Sequence, residues 1–96
     1  MNFVIAGLHQ VIVYGPGKTL DDVNSSLVRP TTGTPAGVLL INDTTGRVYA
    51  GLDPSVVTRD RVEVVEFPNP GLHLVICGVQ AHFLEGMYSF VNVVGE

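Results

Sequence analysis

The sequence predicts an all-β fold, an antiparallel β-sandwich of jelly-roll type with about six or seven strands. Three observations carry this. Seventeen of the 96 residues are valine against four alanines, and valine, stiff at its first side-chain torsion, suits a pleated sheet better than a helix. Eleven glycines and six prolines break the chain into short apolar runs, the rhythm of strands joined by turns. The composition, 46% apolar and 15% charged, supports one modest core in a single domain spanning 1–96.

Taken in order, residues 1–8 read either as an extra strand from Phe3 or as a disordered lead-in. Gln10 to Tyr14 is a strand, stopped by Gly15-Pro16-Gly17 because proline removes a donor and glycine allows positive φ. From 18 to 35 the pattern weakens. Leu20, Val23 and Leu27 stand at i, i+3 and i+7 behind Thr19 as a cap, which suits a short helical turn inside a long loop. Ala36 to Asn42 is a strand. Asp43-Thr44-Thr45-Gly46 turns it, and Arg47 to Gly51 is expected to return antiparallel as a hairpin. Arg61 to Phe67 is the next strand, with Val62 and Val64 on one face and Arg61 and Glu63 on a wetter one. The Val64-Val65 doublet calls for a bulge or burial on both faces. Pro68 to Gly71 reverses the chain into Leu72 to Cys77, Val79 to Gly86 reads as a loop, and Met87 to Val94 closes the domain.

The second half carries an order of pieces that resembles a known family. Asn42-Asp43-Thr44-Thr45-Gly46-Arg47-Val48-Tyr49 is followed by Asp60-Arg61-Val62-Glu63-Val64-Val65, then Asn69-Pro70-Gly71-Leu72-His73-Leu74-Val75-Ile76-Cys77-Gly78, then Gly86-Met87-Tyr88-Ser89-Phe90-Val91. Over residues 38–94 this resembles the C-terminal β-sandwich that follows the catalytic domain of subtilisin-like serine proteases. It is similar, more loosely, to the pre-peptidase C-terminal domains of secreted bacterial proteases. Two departures stand out: Pro35-Ala36-Gly37-Val38 replaces the family's alternating Asn/Asp and Leu, and Tyr14-Gly15 replaces its Trp and Asp. The resemblance implies a non-catalytic accessory domain that stabilises or targets a partner catalytic domain, outside the cytoplasm.

Composition narrows the chemistry further. Cys77 is the lone cysteine, so no disulfide can form within the chain. In its apolar run it reads as a buried small hydrophobe, or else as a reactive thiol. A net charge of −4, with five Lys and Arg scattered singly, lacks the basic footprint of a nucleic-acid binder or of a protein held on anionic lipid. No stretch of about 18 residues is continuously apolar, so no membrane span is expected. Met1 to Gly7 holds no basic residue before its apolar run and does not read as a secretory signal. The chain therefore reads as cytosolic or as a piece of a longer protein.

No catalytic constellation is apparent. Gly15-Pro16-Gly17-Lys18-Thr19 resembles a phosphate loop only in part, since Ile12 stands where that pattern needs glycine. No Gly-x-Ser-x-Gly elbow surrounds Ser25, Ser26, Ser55 or Ser89. His9, His73 and His82 are the histidines available to a transition metal, none paired at the usual short spacing. His73, opposite Leu72 and Leu74, should face solvent or bond across the sheet. Calcium has candidate oxygen ligands in Asp21, Asp22, Asn24, Asp43 and Asp53, which are equally ordinary turn formers. The final strand, uncharged until Glu96, would template pairing at a free edge. A protein partner or self-association is thus expected, either for an accessory domain or for a free-standing β-protein that assembles through that edge.

Overall fold

The computed structural model describes residues 1–94. Its eight strands are β1 (Asn2–Ile5), β2 (Val11–Tyr14), β3 (Val28–Pro30), β4 (Leu39–Ile41), β5 (Arg47–Ala50), β6 (Arg61–Val64), β7 (Gly71–Cys77) and β8 (Tyr88–Val93). A 3-10 turn at Leu20–Asp22 and one helix, α1 (Gln80–Leu84), complete the elements. Every strand pair is antiparallel, so the all-β expectation holds. The strands fall into a central sheet of order β5-β2-β7-β8 and two ribbons, β1-β6 and β3-β4.

The central sheet is covered on both faces, which is why its inner strands read as continuous apolar runs. Register sets Val11 opposite Cys77, Ile12 opposite Ile76 and Val13 opposite Val75. On one face Ile12, Tyr14, Leu74 and Ile76 pack with Ile41 beneath Leu20, Val23 and Phe83. On the other, Val11 and Val13 pack with Ile5 and Val65 against Phe3, Phe67, Tyr49 and Val75. A third cluster joins Leu40, Cys77 and Val79, where Leu40 bridges to Val79.

Some expectations hold and others are corrected. The first eight residues contain a strand, β1, with β6 as its partner. The 18–35 segment does hold the helical turn, closed by the Thr19 N–H donating to Asp22 Oδ2 at 2.8 Å, but it also contains β3. The expected hairpin between residues 38 and 50 does not form. Its turn is present, with Gly46 at φ 77°, yet β4 pairs with β3 and β5 with β2. For β5 the buried strand β2 outweighs the local return, while β4 takes the neighbouring short strand β3. Residues 79–86 hold a helix rather than a loop alone. In β6 the faces are inverted: Val62 and Val64 are 57% and 65% exposed while Glu63 and Val65 are buried. Glu63 can turn inward because Arg61 and Tyr49 satisfy its carboxylate. His73 is buried, not solvent-facing. It bonds across the sheet, with Nδ1 2.7 Å from the Tyr14 carbonyl and Nε2 2.9 Å from that of Asn69. The final strand, β8, is an edge, pairing with β7 alone among the described residues; Glu96 lies outside them.

Candidate metal centre

Three elements converge at one end of the central sheet. Cys77 is the last residue of β7 and is 6% exposed. His9 lies just before β2, after a tight turn in which Gly7 takes φ 97° and its carbonyl accepts from the His9 N–H at 3.1 Å. His82 sits on α1. That helix has only five residues, so its own propensity cannot hold it; its C-terminus does. Gly86 takes φ 101°, its N–H donates to the Phe83 carbonyl and the Met87 N–H to the His82 carbonyl, both at 3.0 Å. This is a Schellman closure, which needs a residue free to adopt positive φ.

The three side chains meet. Cys77 Sγ lies 3.6 Å from His82 Nδ1 and 3.8 Å from His9 Nδ1, and the two Nδ1 atoms are 3.2 Å apart. Bonds of ~2.0–2.1 Å to nitrogen and ~2.3 Å to sulfur, as in tetrahedral zinc sites, would set such atoms roughly 3.3 Å (N to N) and 3.5 Å (S to N) apart. The observed triangle is thus near the size that a single metal ion requires. Among the described residues it is the only group of three or more Cys, His, Asp or Glu side chains gathered this closely.

Met87 is fastened between two of these residues. Its carbonyl accepts from the Cys77 N–H and its N–H donates to the His82 carbonyl, each at 3.0 Å. It also lines, with His9 and Cys77, an apolar groove of about 460 Å³ running between β1 and the β7–β8 pair. The site is therefore reachable from outside.

The local electrostatics favour a ligand set over a nucleophile. Burial pushes the Cys77 thiol above its ordinary value, offset in part by the Gln10 and Val79 backbone N–H groups at its sulfur. Burial, followed by the neighbouring His82 and Arg61, pulls His9 below its ordinary value, against the Ala6 carbonyl. Both shifts favour neutral partners, the reverse of the thiolate–imidazolium pair that cysteine catalysis uses. A neutral His9 imidazole is a ready donor, and a bound metal ion would supply the driving force to remove the thiol proton.

The residues expected from the sequence fare differently. His9 and His82 come together; His73 lies apart, engaged with two backbone carbonyls. Cys77 is buried as expected and is also a member of the site. Asp22 is occupied at the turn after Thr19. Asp43 accepts from the Asn24 and Thr45 N–H groups at 2.9 and 3.2 Å, which together pull its carboxyl below the ordinary range, the Asn24 bond most. Asp53 accepts from Ser55, and Asp21 is exposed. Among the calcium candidates only Asn24 and Asp43 touch, through the Asn24 backbone, with its side chain turned to the Ser26 N–H. The signal passed over in the sequence was the even spacing of Cys77, His82 and Met87 around Gly86. Comparison with family models, curated proteins and solved structures finds no match to this chain.

Proposed function

We propose that this chain is a small electron-carrying domain that holds copper on His9, Cys77 and His82, with the Met87 thioether as a weaker fourth donor. The observation that carries this reading is the triangle of Nδ1, Nδ1 and Sγ atoms with sides of 3.2 to 3.8 Å. Two imidazoles and a thiolate in a trigonal set, with a methionine along the axis, is the donor combination of copper sites that pass single electrons. Bound copper supplies the one-electron couple. The chain supplies a ligand frame anchored by β7, by the turn before β2 and by the Schellman closure of α1, which would limit rearrangement if a bound ion changed oxidation state. The groove supplies a largely apolar wall on one side. Zinc is the competing metal, since the same three donors suit it; a fourth, soft donor from the Met87 thioether, whose residue lines the same groove, would favour copper. Titrating metal-free protein with copper(II) distinguishes them: an intense thiolate-to-copper band and a reversible one-electron couple support the proposal. Colourless, stoichiometric zinc binding with no copper band would replace it by a structural zinc site.

A second reading is an accessory or partner-binding module, of the kind that the protease resemblance implies. The free edge of β8 favours it, with Tyr88 and Phe90 43% and 41% exposed on that strand and its outer backbone groups open to pairing. The two readings are compatible, because an electron carrier must also dock. Sedimentation over a concentration series tests the self-association form. A monomer throughout removes the homo-oligomer and leaves only a different protein as partner.

A further inference from the structure

We infer that Arg61 is a positioning residue for the ligand His9, acting through the His9 backbone and itself held by Glu63. The inference rests on the metal-binding reading above. His9 lies outside every strand ladder, so sheet hydrogen bonds do not fix its carbonyl. Arg61, 52 residues away, does: its Nη2 donates to the His9 carbonyl at 2.7 Å. Its Nε donates to Glu63 Oε2 at 2.7 Å, and Glu63 Oε1 accepts from the Tyr49 hydroxyl at 2.6 Å.

The cost of this arrangement is what points to a role. The Arg61 and Glu63 side chains are only 10% and 5% exposed, whereas Val62 and Val64 on the same strand face water. An inward valine would stabilise the fold as well as or better than a buried ion pair. Gly51 fits the same picture, since a Cβ there would press on the Glu63 carboxylate and the Val11 carbonyl. The chain has thus put charge inside and valine outside, and the inner charge ends on a metal ligand. Partners one step behind a ligand orient it, and their loss costs about 10–100-fold in metal affinity. The guanidinium also adds positive charge beside the site, which favours the less positive oxidation state of a bound ion and raises its midpoint potential.

The test uses the full chain loaded with copper(II). Affinity by chelator competition and midpoint potential are measured for the wild type, Arg61→Gln, Arg61→Lys and Arg29→Gln. Arg29 is the control, 43% exposed and 4.0 Å from Asp53. Arg61→Gln should weaken copper binding ~10–100-fold and move the potential negative. Arg61→Lys should restore the potential and leave affinity reduced, because an ammonium lacks the fork that reaches both the His9 carbonyl and Glu63. Arg29→Gln should match the wild type. Equal affinity and potential for Arg61→Gln and Arg29→Gln overturn the inference while leaving the metal site standing. A wild type that binds no metal overturns both. Should Arg61→Gln fail to fold, Arg61→Lys decides alone, and unchanged affinity in it counts against the positioning role.

Discussion

His9 Nδ1 lies 3.2 Å from His82 Nδ1, across 73 residues of chain. Two ring nitrogens this close share at most one proton, one donating and the other accepting. The tilted rings, with centroids 4.9 Å apart, aim both nitrogens toward the Cys77 sulfur. A half-buried contact of this sort gains little as packing. It gains a great deal as a preset corner for a cation.

The first prediction concerns pH. Burial holds His9 below its ordinary value and Cys77 above its own, so near neutral pH the His9 imidazole is free to bind while the thiol still carries its proton. Metal binding must displace that one proton. Apparent affinity should therefore rise about tenfold per pH unit while the thiol is protonated, and fall more steeply in acid as a His9 proton joins the competition. Competition with a chelator of known proton affinity measures the slope. A flat profile would mean that the thiol is not a ligand.

Gly86 offers a test of how His82 and Met87 are held. A Cβ there would meet nothing within 4 Å, but the residue sits at φ 101°. Gly86→Ala should cost ~1–2 kcal/mol of stability from backbone strain alone, read from chemical denaturation. Because the same turn fixes His82 and Met87, metal affinity should fall with it. Unchanged affinity with lowered stability would show that α1 does not position the site.

Tyr49 predicts an alkaline limit. Burial and the Glu63 carboxylate push its phenol up to about 12. In the unfolded chain the proton leaves near 10, so the folded state binds more protons between these values and stability falls as pH rises through the window. Tyr49→Phe should lose about 1 kcal/mol at neutral pH, with the hydrogen bond to Glu63, and should flatten part of the alkaline decline. The remainder belongs to Tyr14 and Cys77, whose buried phenol and thiol are also pushed up. Denaturation at pH 8 and pH 11 measures both effects.

Much of the sheet was readable in advance. Residues 10–14 and 72–77 are apolar runs bounded by Gly and Pro, and they form the two inner strands. β3 was not readable, since Val28-Arg29-Pro30 is three residues ending in proline and carries no period. α1 was missed for a similar reason: five residues show no helical repeat, and the informative residue was Gly86 beyond its end. The failed hairpin shows where local signals stop. The turn at 43–46 is encoded locally, but the partner of β5 is β2, 33 or more residues earlier by register, from Tyr14 with Arg47 to Ile12 with Ala50. The site failed in the same way. Cys77 and His82 are close in sequence, yet one looked like core and the other like loop, and only the pairing of Val11 with Cys77 brings His9 to them.

The most direct measurement is a copper(II) titration of the metal-free protein followed by visible absorption, with Cys77→Ser alongside. Serine is close in size to cysteine and leaves the sheet in place, which circular dichroism checks. The account predicts an intense band that saturates at one equivalent in the wild type and is missing from Cys77→Ser. Spectra that are the same for both proteins would contradict it.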